Sequence, residues 1–187
     1  MNYNKFLNNT IPIGSRNRYE FIIPNLHTGT GGFLDIGSAV VPSIREKIIE
    51  LGYNYTGIDL REGEGIIVMD ASKLALENEN FDAVLISTVL EYIEDWQNAI
   101  KEATRVLKHN GVMYIYSPIS LIEGKSVFIP ENIRGQIIKL NDGSEIGTIW
   151  KFSVEDIIFE CSCNSLCLHK LYTRYDCMDM FATFRKD

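Results

Sequence analysis

Hydrophobic residues along the chain fall into short runs closed by acids, small polar residues or glycine, and the spacing between these runs is helical. Phe33-Leu34-Asp35-Ile36 is an apolar run interrupted by a single aspartate and closed by Gly37, the pattern of a strand buried on both faces of a parallel sheet. Residues 53–58 predict a second strand ending in Asp59-Leu60, and residues 66–69 a third ending in Asp70-Ala71-Ser72. Residues 81–87 predict a fourth ending in Ser87-Thr88, and residues 112–116 a fifth closed by Ser117-Pro118. After the first strand, Ile44, Ile48 and Leu51 mark one face of a helix, with Ser43 as its expected N-cap, Glu46 completing a capping box and Gly52 ending it. Trp96, Ile100, Ala103 and Leu107 mark a second helix, stopped by Asn110-Gly111. Strands joined through helices imply right-handed crossovers and an α/β, doubly wound, mostly parallel sheet with helices on both faces.

The flanks follow other rules. Residues 1–32 read as a lead-in with a short helix over 15–23 that Pro24 should end. The glycines of His27-Thr28-Gly29-Thr30-Gly31-Gly32 precede the first strand, whereas a phosphate-binding turn must follow it, so this stretch is a linker. Residues 33–187 form a single domain in which the alternation breaks at 119–150. There Asn141-Asp142-Gly143 lies between Ile137-Ile138-Lys139-Leu140 and Glu145-Ile146-Gly147-Thr148, predicting a hairpin within a lid or substrate-facing excursion. Ser153 then caps a helix that buries Val154, Ile157, Ile158 and Cys161, and two closing strands span 166–172 and 177–184.

Composition narrows the function. A net charge of -7 without a dense basic cluster disfavours a nucleic-acid partner. No stretch approaches the roughly 20 apolar residues of a membrane span, and the N-terminus has no apolar signal core, so a cytoplasmic protein with reduced thiols is expected. Cys161, Cys163, Cys167 and Cys177 could in number supply four zinc ligands, but their positions on a helix face and in a strand favour core thiols. No metal site is expected. Gly124-Lys125-Ser126 ends like a phosphate-binding loop, yet Ile119 stands where the first glycine is required.

Ligands of open α/β sheets bind beyond the carboxyl ends of the strands, where strand order reverses. The residues expected there are Asp35 with Gly37, Asp59, Asp70, and Ser87 with Thr88. Any one of them alone is equally well a polar strand terminus or cap. Together they define a rim, and Asp59, about 20 residues beyond the glycine, is placed to accept hydrogen bonds from ribose hydroxyls. The pattern predicts an adenosine-type ligand.

The run Phe81-Asp82-Ala83-Val84-Leu85-Ile86-Ser87-Thr88-Val89-Leu90-Glu91-Tyr92-Ile93-Glu94-Asp95, followed by Ala103-Thr104-Arg105-Val106-Leu107-Lys108-His109-Asn110-Gly111-Val112, resembles the class I S-adenosylmethionine-dependent methyltransferases, above all the small-molecule type. The resemblance extends from Phe33 to Phe184. It implies a seven-stranded Rossmann-like methyltransferase sheet with an antiparallel last strand, and S-adenosylmethionine as cofactor with S-adenosylhomocysteine as product. By the same resemblance Asp35, Gly37 and Ser38 border the methionine part and Asp59 holds the ribose. Leu60 packs on adenine, Asp70 and Ala71 meet the adenine edge, and Ser87 lies near the sulfonium, a cation that acidic surroundings favour.

The chain departs from the family where glycines usually recur after Gly37, carrying Ala39 and Val41, residues that resist positive φ. It also carries Tyr92 where histidine is common. Glu91, Tyr92 and His109 are the nearby groups able to move a proton, and none is assigned as a base. The expected activity is methyl transfer to a small molecule. The alternatives are a non-catalytic module that binds S-adenosylmethionine or a nucleoside through a degenerate glycine loop, and a nicotinamide-dependent oxidoreductase. Acceptor and oligomeric state stay open.

Overall fold

The structure, a computed structural model, describes residues 18–39, 44–119, 126–129, 137–174 and 178–187. Its elements in chain order are α1 (Arg18–Ile22), β1 (Gly32–Ile36), α2 (Arg45–Glu50), β2 (Asn54–Asp59), β3 (Ile66–Val68), β4 (Phe81–Ser87), α3 (Trp96–Val106) and β5 (Leu107–Pro118). The excursion adds β6 (Val127–Phe128), β7 (Ile137–Lys139), β8 (Glu145–Gly147) and β9 (Trp150–Lys151), before α4 (Val154–Cys163), β10 (Leu166–Arg174) and β11 (Asp179–Lys186).

Seven strands form one sheet in the order β10-β11-β5-β4-β1-β2-β3. β1 to β5 run parallel, while β11 is antiparallel to both β5 and β10, as the family resemblance implied. The chain grows outward from β1 to β3, then returns to the other side of β1 for β4. Strand order therefore reverses between β1 and β4, and that is where a ligand crevice opens in such sheets.

Side-chain alternation divides the core into two layers. Leu34, Ile36, Val84, Ile86, Met113 and Ile115 pack under α3 and α4. Phe33, Ala83, Leu85 and Tyr114 point to the opposite face and pack against Ile22, Ile44 and Ile48 from the α1 and α2 side. A strand filled on both faces can be apolar throughout, as β4 nearly is.

Several boundaries differ from the sequence reading. α3 begins where expected, with the Asp95 side chain accepting from the Asn98 backbone N–H at 3.3 Å, but it ends at Val106 rather than at Asn110-Gly111. Leu107 is fully buried and pairs with Phe81, while Ala83 pairs with Val112, so residues 108–111 bulge out with Asn110 at φ 62°. The polar turn is therefore a bulge within β5. Ile44, without a side-chain capping bond, occupies the N-cap of α2, and the expected capping residue Ser43 lies outside the described residues. Pro24 sits within a 3-10 turn, Ile23–Asn25, that continues α1 by one short segment. The expected core thiols hold only for Cys161, which is buried; Cys163 and Cys167 are exposed, and Cys177 is outside the described residues. Cys167 misses the core because its neighbours Leu166 and Leu168 take the inward positions of β10.

Candidate functional site: a cleft at the strand-order reversal

Gly37 turns the chain directly after β1 with φ 70°, and a Cβ built on it would meet Val89 Cγ2 at 2.6 Å. Only glycine satisfies both the backbone conformation and that close approach. Ala39 follows at φ 65°, adopting the conformation that the sequence reading expected it to resist. Its N–H donates to Asp59 Oδ2 at 2.9 Å, which gives the strained residue a fixed partner. The loop after β1 is thus tied to the end of β2. Val41, the second departure from the glycine pattern, is outside the described residues.

A cleft opens at these strand ends, lined by Gly37, Asp59, Leu60, Asp70 and Ala71 of the expected site residues. Asp35, Ser38 and Ser87 lie buried at the same strand ends without contributing to its lining. Tyr55 donates to Asp35 Oδ2 at 2.8 Å, Ser38 Oγ donates to the Ile58 carbonyl at 3.3 Å, and Ser87 Oγ has no partner. Burial pushes the Asp35 carboxyl up to about 7, against the lowering effect of the Tyr55 bond.

The far wall is held by α3. Arg105 donates to the carbonyls of Leu74 and Leu76, each at 2.8 Å, and is itself oriented by Glu102, whose Oε2 also accepts the Leu74 N–H at 3.0 Å. Asn98 Nδ2 donates to the Ser72 carbonyl at 2.7 Å. The Arg-Val-Leu-Lys segment thereby fixes the loop that carries Asp70 and Ala71. Asp70 itself closes a local turn, accepting from the Ser72 N–H and Oγ, both at 2.8 Å.

Sequence reasoning did not assign several of the residues that shape the cleft. Arg61 stands in it and donates from Nε to Asp59 Oδ1 at 3.0 Å. Arg18 of α1 donates to Thr88 Oγ1 and, at 2.7 Å, to the Tyr19 hydroxyl, so the lead-in reaches the end of β4. The spacing of residues 18 and 88 carries no sequence signal for that contact. Leu140 and Ile146 bring the excursion's hairpin into the lining, together with Tyr92 and Ile93. The hairpin itself is where the Asn141-Asp142-Gly143 signal put it, with Ile138 opposite Ile146 and Gly143 at φ 83°.

Among the candidate proton acceptors, His109 is exposed in the β5 bulge, beside the start of β4 and at the opposite end of that strand from Ser87 by register. Glu91 lies in a 3-10 turn, Leu90–Tyr92, is 3% exposed, and has no partner for Oε2. Burial raises its carboxyl to about 7. Tyr92 is raised too, by desolvation first, while a hydrogen bond with Thr148 works against that shift. Ser126 of the glycine-lysine-serine stretch is an anchor, donating from its N–H to Asp156 Oδ2 at 2.7 Å and accepting the Ser153 N–H at 3.1 Å. Ser153 accepts the Asp156 N–H at 3.0 Å, the N-cap the sequence predicts. The rest of the glycine-lysine-serine stretch is outside the described residues. Trp150 pins the excursion, edge-on to Phe128 at 5.3 Å and stacked with Phe152 at 6.5 Å.

A sheet of this order, with a cleft at the β1/β4 reversal, is the fold of class I S-adenosylmethionine-dependent methyltransferases. Residues 34–115 match the family model described as "Methyltransferase domain". An S-adenosylmethionine-dependent methyltransferase from Mesorhizobium loti superposes with a TM-score of 0.68 at 15% identity, covering 91% of this chain and 99% of that one. The 1,6-didemethyltoxoflavin-N1-methyltransferase of Burkholderia thailandensis, solved with bound 1,6-didemethyltoxoflavin and S-adenosylhomocysteine, gives a TM-score of 0.57 at 16% identity over 84% of this chain and 71% of that one. An uncharacterized protein of Methanocaldococcus jannaschii is 32% identical over 93 residues, 48% of this chain. The matched region spans 45% of that relative's length. Among the described residues no helix is long and apolar enough to cross a membrane.

Proposed function

We propose that this chain transfers the methyl group of S-adenosylmethionine to a small-molecule acceptor in the cytoplasm. The observation that carries the reading is the placement of Gly37, Asp59, Leu60, Asp70 and Ala71 around one cleft at the strand-order reversal. These residues suit the cofactor chemically. Asp59 offers carboxylate oxygens for a ribose diol, Leu60 and Met69 offer apolar surface for a base, and among the described residues no basic loop prepares the cleft for phosphate.

When bound, the cofactor supplies an electrophilic methyl group on a sulfonium. The chain's own contribution is alignment and exclusion of water: the lead-in through Arg18 and Thr88 and the hairpin through Leu140 and Ile146 stand over the rim. Calorimetric titration with S-adenosylmethionine and with S-adenosylhomocysteine tests the proposal, and binding of neither overturns it. Binding without turnover is the second reading, favoured by the hold of Arg61 on the ribose carboxylate. One turned-over acceptor excludes it.

A further inference from the structure

Beside the cofactor cleft lies a second cavity of about 230 Å³, lined by Tyr92, Glu94, Phe128, Glu145, Ile146, Gly147 and Ile149. Tyr92 and Ile146 line both spaces, so they form a shared wall. One side is the turn after β4 and the other is the excursion; Ile149 N–H donates to the Glu91 carbonyl at 2.7 Å and joins them, while Ile129 N–H donates to the Ile149 carbonyl at 2.8 Å within the excursion. Its volume lies below the roughly 300 Å³ at which cavities for drug-sized ligands begin, which limits any occupant to a smaller molecule.

Its chemistry is specific. Phe128, 47% exposed and edge-on to Trp150, contributes an aromatic ring to the lining. The charged residues of its wall, among those described, are Glu94 and Glu145. Lys139 pairs with Glu145 at 3.4 Å, but both are exposed, so water screens the pair. Arg61, the cation at the neighbouring wall, is already engaged by Asp59. Aromatic faces together with carboxylates attract organic cations and repel anions.

Resting on the methyltransferase reading above, we infer that this cavity is the acceptor site and that the acceptor is a small arylalkyl-type amine, methylated on nitrogen. The amine enters as an ammonium ion held by the carboxylates and loses one proton to solvent. Its nitrogen lone pair then forms the bond to the methyl carbon as the carbon–sulfur bond breaks. The electron pair of that bond stays on sulfur, giving a neutral thioether. The methylated nitrogen sheds its second proton to solvent or remains charged. An alcohol in the same place needs a dedicated base, and a carboxylate is repelled.

The test is a matched trio, 2-phenylethylamine, 2-phenylethanol and phenylacetate, titrated into the full chain saturated with S-adenosylhomocysteine. The expected result is that the amine binds at least tenfold tighter than phenylacetate, and that Glu94→Gln with Glu145→Gln removes most of that preference without altering S-adenosylhomocysteine affinity. Circular dichroism reports whether the double variant folds, and the wild-type comparison stands without it. Equal or tighter binding of phenylacetate or 2-phenylethanol overturns the inference, as does failure of all three to bind while S-adenosylhomocysteine binds. Failure of S-adenosylhomocysteine itself overturns the methyltransferase reading instead.

Discussion

The guanidinium of Arg61 closes on the carboxylate of Asp59, with Nε 3.0 Å from Oδ1 and Nη2 3.3 Å from Oδ2, while the Arg61 N–H adds a bond of 3.0 Å to Oδ1. With Ala39 N–H on Oδ2, both oxygens are engaged. A ribose diol that uses this carboxylate must displace the guanidinium. Arg61→Ala is therefore expected to tighten S-adenosylhomocysteine binding by about three- to tenfold, on the order of 1 kcal/mol for a partly screened pair. Asp59→Ala should weaken it at least about tenfold. Calorimetry checks both, and a weaker Arg61→Ala complex shows that Arg61 binds the cofactor instead of competing with it.

Gly37 and Ala39 share positive φ but not surroundings. Gly37→Ala forces a methyl against Val89 and is expected to cost about 2 kcal/mol of stability and to reduce cofactor affinity. Ala39→Gly relieves a left-handed backbone and should change stability by no more than about 1 kcal/mol, toward greater stability. Urea midpoints of the two variants, measured side by side, decide the matter.

The buried carboxyls set a pH trend. Asp35 and Glu91 both titrate at about 7 in the folded chain because burial disfavours their charge, whereas unfolded acids titrate near 4. Between those limits the folded state holds protons that the unfolded state has lost. Their contribution to stability thus falls as pH rises from about 4 to about 7 and is level above. Asp35→Asn removes one such group, so its unfolding free energy should decline less steeply across that window and exceed wild type at pH above about 7 by on the order of 2 kcal/mol. A slope identical to wild type in pH-dependent urea titrations would falsify the assignment.

Arg105 acts at a distance from the cleft. Its bonds to the Leu74 and Leu76 carbonyls hold the loop that presents Asp70 and Ala71. Arg105→Ala is expected to lose about 2–3 kcal/mol of stability, in line with charge-assisted bonds to partly buried groups. Cofactor affinity should fall with it, and Arg105→Lys should recover only part because a lysine cannot fork to two carbonyls and a carboxylate. Thermal shifts with and without S-adenosylhomocysteine separate the two effects.

Legibility in the sequence followed the range of the interactions. β4 was readable to the residue because a strand buried on both faces is apolar nearly throughout, and the Ser153 cap because its partner is three residues away. The end of α3 was misplaced, since Asn110-Gly111 looks like a helix stop and only the pairing of Leu107 with Phe81 converts it to a bulge. Of the residues that periodicity and resemblance together single out, Gly37, Asp59, Leu60, Asp70 and Ala71 line the cleft, whereas Asp35, Ser38 and Ser87 are buried at the strand ends behind it. Arg61 was not among them, because its role depends on a rotamer, and Arg18 was not, because the chain must fold before residues 18 and 88 can meet.

The bond from Ile149 to the Glu91 carbonyl has an evolutionary consequence. The segment between β5 and α4 meets the turn after β4 through the Ile149 to Glu91 main-chain bond, which any side-chain sequence supplies, beside the Tyr92–Thr148 hydrogen bond, while Gly37, Asp59 and Asp70 lie on other segments. Such a joint tolerates wholesale replacement of the hairpin between its anchors. Because Leu140 and Ile146 of that hairpin line the cleft together with Gly37, Asp59 and Asp70, exchanging the segment would reshape one wall of the cleft while the strand-end residues keep their places.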